Sequence, residues 1–275
     1  MALNTTYNAR LLRQETAAGA GVQLLLLTLL GASLGLGPAG WLTGLAFAAV
    51  TWAVLTRAVS RSWLSSFGPA NRVTLARATL VGGVTALVAD SFTSPPRVAV
   101  LTALTAVALI LDAVDGQVAR RTGSSSALGA RFDMEVDAIL ILVLSVYVAT
   151  ALGPWVLLIG GMRYAFVAAA RFLPWMNAPL PHSMARKTVA ALQGVALLLA
   201  ATGLLPAPAT LGVVLLALTS LVWSFARDIG WLWTTGKATR AEQRPAPTAV
   251  ARVTHLARPV PRVTTEDGPL PARSA

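Results

Sequence analysis

Cysteine is absent from the 275 residues, which excludes a disulfide framework and any thiolate zinc site and leaves the compartment open. Charge is scarce, with Asp, Glu, Lys and Arg making up 12% of the chain, where an ordinary soluble domain carries about 25%. Hydrophobic residues fill 55%, and the mean hydropathy is +0.66. With apolar runs near the ~20 residues that cross a bilayer, these values describe an all-α integral membrane protein. The net charge of +11 does not mark a nucleic-acid binder, because no basic stripe is interleaved with aromatics. The basic residues flank apolar runs instead, beside anionic lipid head groups. Aromatic residues are also few, at 7%; Trp41, Trp155, Trp175, Trp231 and Trp233 fall near predicted helix ends, as an interfacial belt would have them.

Eight membrane helices are predicted, at 18–36, 39–58, 72–90, 97–119, 132–151, 155–175, 186–203 and 209–232, joined by short loops that make neighbours antiparallel. Gly37-Pro38, Pro95-Pro96, Gly153-Pro154, Pro179-Leu180-Pro181 and Pro206-Ala207-Pro208 mark the joins. The polar start, MALNTTYNARLLRQET, has the outline of a signal peptide, but the run behind it reaches Gly37 and a second follows at once, so an uncleaved anchor is expected. With the N-terminus inside, Arg10, Arg13, Arg57, Arg61, Arg72, Arg77, Arg120, Arg121, Arg131, Arg171, Arg186, Lys187, Arg227, Lys237 and Arg240 gather at the cytoplasmic face. Only Arg97 lies at the outer ends, so both termini are expected in the cytoplasm, the membrane being the plasma membrane. Three units follow: a two-helix extension over 1–62, a six-helix membrane domain over 63–235, and a proline-rich, weakly basic tail over 236–275 that reads as disordered. His182 and His255 receive no role.

Acidic residues number only eleven, yet four aspartates and a glutamate stand in LDAVDGQVARRTGSSSALGARFDMEVDAIL, residues 111–140. Asp112 and Asp115 are three apart near the inner end of the fourth helix, on one face with Gly116 and Ala119. Asp133 and Asp137 are four apart at the start of the fifth and share a face, while Glu135 points away as an interfacial charge. An aspartate at the bilayer centre costs about 2.5–3.5 kcal/mol, so four demand compensation. Arg120, Arg121 and Arg131 could supply part of it, although they suit a boundary role equally well. A pair of divalent cations compensates more fully, magnesium and manganese preferring such hard oxygen ligands. Surface aspartates on a loop and a proton or cation pathway are the other readings. Gly116 opens the helix beside Asp115 to a diphosphate or a second backbone, and Gly129 opens the second half.

The spacing Asp112-x2-Asp115-Gly116-x2-Ala119-Arg120-x8-Gly129-x3-Asp133-x3-Asp137 resembles the complete signature of the CDP-alcohol phosphatidyltransferase family, and the resemblance covers about residues 70–232. It implies a six-helix core, with the first two helices added, that passes a phosphatidyl group from a CDP-linked lipid to an alcohol and releases CMP. It further implies two divalent ions, Mg2+ or Mn2+, held by Asp112, Asp115 and Asp133 with Asp137 beside them as ligand and general base. Gly116, Ala119, Arg120 and Gly129 would line the cytidine-diphosphate pocket, and a homodimer is implied. Asn71, Thr74 and Arg77 in NRVTLAR resemble the family's upstream element near the nucleotide and lipid phosphates. A plain helix start with boundary arginines is the alternative for these three.

Arg163 lies deep in the sixth helix, where an arginine faces a cavity or a partner, and is expected to bind an anionic acceptor or the lipid phosphate. Arg186 and Lys187, with Thr188 and Gln193 after them, loosely resemble an element of the family's later half and are assigned to phosphate, with topology alone as the alternative. Together these cations favour an acceptor that bears a phosphate, such as glycerol 3-phosphate or inositol phosphate. A metal-dependent lipid diphosphate hydrolase would use the same ions with water as acceptor. A cation- or proton-coupled transporter would place its acids on broken helices near the midplane. A noncatalytic scaffold needs no such carboxylates.

Overall fold

In lipid, backbone N–H and C=O groups find no water, so apolar runs of this kind close their hydrogen bonds internally as helices. The structure, a computed structural model, describes residues 2–61, 69–122, 127–178, 180–181 and 183–242, with side chains for 17–57, 72–114, 129–178, 180–181 and 183–235. All regular structure among the described residues is helical: α1 (Ala2–Leu34), α2 (Pro38–Arg61), α3 (Pro69–Asp90), α4 (Val98–Thr122), α5 (Ala127–Leu152), α6 (Leu157–Phe172), α7 (Met184–Thr202) and α8 (Ala207–Glu242). Seven of the eight are long and apolar enough to cross a membrane. In α4 the apolar stretch that the described side chains cover is Val98–Val114. The chain is an all-α, multi-pass integral membrane protein.

The helices extend beyond several predicted ends. α1 starts at Ala2 rather than near 18, and α8 runs to Glu242, seven residues into the stretch expected to be tail. Neither segment holds a proline, so nothing in the chain stops the ladder where hydropathy falls. Most of the expected disordered tail, 243–275, lies outside the described residues, as does His182. α6 ends earlier than expected, at Phe172 instead of 175. Pro174 pushes Leu173 out of the helical region, to φ −118° and ψ 85°, and a 3-10 turn over Pro174–Asn177 follows. α7 stops on Gly203, whose φ of +65° is the left-handed cap that glycine adopts without strain.

α3 is the centre of the bundle. It packs against α1, α2, α4 and α5, and 67% of its span is buried, against 33% or less for the other spans. α4 and α5 follow each other in sequence, yet each packs against α3 and α7. α3 is thus wedged between the two helices that carry the aspartates. Apolar burial does not draw helices together in lipid; close packing of small residues does. Gln23 and Leu26 of α1 press onto Gly82 and Gly83 of α3. Gly160 of α6 faces α5 so closely that an added methyl would lie 2.5 Å from the Leu142 Cα.

Polar contacts at one end lock the first two helices to the rest. The buried Asp90 accepts the Gly37 N–H through Oδ1 at 2.8 Å, capping the start of α2. Arg97 donates to the Leu34 carbonyl at 3.0 Å, satisfying the end of α1. Gln193, 1% exposed, donates to the Ala217 carbonyl at 3.0 Å and to Ser220 Oγ at 3.3 Å, tying α7 to α8. That contact gives Gln193 a packing role, and Thr188 satisfies its hydroxyl on the Met184 carbonyl of its own helix.

Candidate active site

The far end of the bundle from the Asp90 cap holds the acidic cluster. Asp112 sits just past the middle of α4, where the apolar run gives out, and Asp133 and Asp137 sit one turn apart in the first half of α5. Each offers a carboxylate oxygen, and the three oxygens lie within 4.8 Å of one another. Their side chains remain 39, 31 and 37% exposed, so the cluster opens at the bundle's end.

Arg77 stands at the middle. It is 0% exposed, the largest fully buried side chain among the described residues. Its Nη1 donates to Asp112 Oδ1 at 2.7 Å and to Asp133 Oδ1 at 2.6 Å. Its Nη2 donates to Asp137 Oδ1 and, at 3.5 Å, to the Asp133 backbone carbonyl. The planar fork suits several carboxylates at once, as an ammonium would not. Thr74, one turn earlier on α3, is buried on the same side. The wedge position of α3 brings about this meeting: one helix supplies the cation, its two neighbours the anions.

A divalent cation fits this donor set. Oxygens on opposite sides of a magnesium ion lie about 4.1 Å apart, close to the spacing of the cluster. Three carboxylates and one guanidinium carry a formal charge of −2, which a divalent ion balances. Asp112, Asp133 and Asp137 could therefore hold a metal. Asp115, Gly116, Ala119 and Arg120 lie on α4 and Asn71 on α3, but their side chains are outside the described residues. Gly129 lies in the first turn of α5.

Two of the other cations expected at the site hold acidic partners of their own. Arg163 Nη2 pairs with Glu135, the acid that helical spacing turns away from Asp133 and Asp137. Its Nε is buried without a hydrogen-bond partner among the described residues. Arg186 donates to Asp228 Oδ2 at 3.3 Å and to the Pro181 carbonyl, while Lys187 is exposed. Two residues of this second cluster escape a reading of the signature. Arg227 donates to Ser183 Oγ at 3.1 Å and to Asp228 Oδ1 at 3.3 Å, and its guanidinium lies 5.0 Å from the centre of the Trp223 ring. The adjacent arginine and aspartate inside an apolar run were the available signal.

The family model for CDP-alcohol phosphatidyltransferases matches residues 67–226. The chain belongs to that family. The match begins just before α3 and ends within α8, so it takes in the whole acidic cluster and leaves α1 and α2 outside. No curated protein and no solved structure gives a match. As a CDP-alcohol phosphatidyltransferase the protein is a membrane-embedded transferase of phospholipid biosynthesis, acting on a CDP-linked donor and an alcohol acceptor. Three of the four aspartates that the signature picks out, Asp112, Asp133 and Asp137, are brought together by α3, α4 and α5.

Proposed function

We propose that the protein transfers the phosphatidyl group of CDP-diacylglycerol to the hydroxyl of a phosphorylated polyol, releasing CMP. The observation that carries this reading is the gathering of Asp112, Asp133 and Asp137 at the end of the bundle, inside the segment the family match covers. Asp112, Asp115, Asp133 and Asp137 would hold two divalent ions, Mg2+ or Mn2+. When bound, such ions neutralise phosphoryl oxygens and stabilise the charge that builds on the leaving CMP.

The residues of the chain supply the rest. Asp137 takes the proton of the acceptor hydroxyl as its oxygen bonds to the phosphatidyl phosphorus; the bond from that phosphorus to the CMP oxygen breaks, and CMP leaves with the electron pair. A base for this step must come within about 3 Å of the hydroxyl. Asn71, Thr74, Gly116, Ala119, Arg120 and Gly129 are assigned to the nucleotide, and Arg77 to a phosphate of donor or acceptor. The unpartnered Nε of Arg163 supports a contact with the acceptor's phosphate, and Arg186 and Lys187 are assigned to the same anion. Fifteen basic residues against Arg97 alone favour a cytoplasmic site in the plasma membrane, with both termini inside. Family membership favours a homodimer.

A screen of alcohols, with and without a phosphate, tests the assignment. Purified protein with CDP-diacylglycerol and Mg2+ is expected to release CMP only when the right alcohol is present, and to yield a new phosphodiester. CMP release with phosphatidic acid as the co-product, and no need for an alcohol, would identify a hydrolase. In the same assay R163M raises the acceptor KM by about tenfold or more, the worth of one charge-assisted hydrogen bond. A change confined to the donor KM moves Arg163 to the other substrate.

A further inference from the structure

We propose that Arg77 is a built-in counter-ion that occupies the carboxylate cluster until metal and donor arrive together, then passes from the carboxylates to the donor's diphosphate. The inference rests on the metal-dependent reading above and adds an order of events to it.

Three observations carry it. The guanidinium is fully buried and its two terminal nitrogens together reach all three carboxylates. It therefore stands on the oxygens a metal would use. Its charge is permanent, since arginine does not deprotonate in proteins, so it cannot yield by losing a proton. A divalent ion drawn to the same oxygens meets a fixed positive charge among them, and the two compete. Finally, α3 is held in place: Ala78, Val81 and Val84 are buried, and Leu75 packs on Gly19 of α1. The backbone of Arg77 stays put, so the change of partner falls to its long side chain.

An incoming diphosphate changes the balance. It brings the negative charge that Arg77 loses on leaving the carboxylates, and guanidinium pairs with phosphate as readily as with carboxylate. The handover has a chemical consequence, because Arg77 Nη2 rests on Asp137 Oδ1. Asp137 is masked as a base while Arg77 holds it, and is released only when donor is in place. α1 and α2 gain a task by the same logic, as the buttress that fixes α3 while its arginine changes partner.

The test uses the full chain in detergent, with Mn2+ binding followed by electron paramagnetic resonance, with and without CDP as the diphosphate probe. In the wild-type protein Mn2+ binds weakly alone, and CDP tightens it by about tenfold or more, the scale of one charge-assisted hydrogen bond. R77M binds Mn2+ alone about tenfold more tightly than wild type, and CDP adds little. R77K keeps the charge without the fork, and falls between the two. It decides the matter if R77M does not fold, as judged by size exclusion. Mn2+ affinity in both variants equal to or below that of wild type would overturn the handover and leave the metal reading standing. Absence of Mn2+ binding in every protein, with and without CDP, would bring down both.

Discussion

Replacing Asp137 with asparagine lowers kcat by about 10²–10⁴, the range general bases contribute, while the affinity for donor changes by less than about threefold. The reasoning starts from shape. Asparagine keeps the volume and one carbonyl oxygen, so Arg77 Nη2 retains an acceptor where Asp137 Oδ1 stood. Asp112 and Asp133 still hold the other terminal nitrogen, so the buried guanidinium is not stranded. What asparagine cannot do is take a proton from the acceptor hydroxyl. Initial rates of CMP release with the donor varied separate kcat from KM. An equal loss in donor affinity and in turnover would make Asp137 a structural ligand only.

Chelation is expected to have a comparably large effect. Removing divalent ions with EDTA cuts transfer by about 10³ or more, because several kcal/mol of charge stabilisation disappear and each 1.36 kcal/mol is tenfold in rate. Adding back Mg2+ or Mn2+ in excess restores it. Two features of the site lead to this expectation. The cluster keeps a formal charge of −2 after Arg77 is counted, and its three oxygens lie within 4.8 Å. The donor's diphosphate adds further negative charge to the same place. Turnover that persists in EDTA would assign the charge stabilisation to Arg77 and its neighbours alone.

Helical periodicity and hydropathy were enough to locate all eight helices, because a span must be long, apolar and free of charge. Their ends were harder. Hydropathy reports where lipid stops, whereas a helix stops where its hydrogen bonding does. α1 and α8 therefore continue through polar sequence, and α6 ends at Phe172 because of Pro174. Asp112, Asp133 and Asp137 were legible because the aspartate spacing fixes faces on two helices. That Arg77 would meet all three was not, since no periodicity tells which helix wedges between α4 and α5. The sequence called for a cavity or a partner at Arg163 but did not name Glu135, which is 28 residues away on another helix. The pairing of Asp228 with Arg186 was hidden in the same way, since the packing of α7 on α8 brings them together. Long-range pairing of charges is a property of the packed bundle.

The central claim is that Asp112, Asp133 and Asp137 grip divalent metal against a diphosphate. Anomalous diffraction from crystals grown with Mn2+ and CDP measures this directly. Manganese peaks are expected about 2.0–2.3 Å from those carboxylate oxygens, with the Arg77 guanidinium turned to the phosphates. A map that finds CDP bound, no manganese among the aspartates, and Arg77 still on all three carboxylates would contradict it.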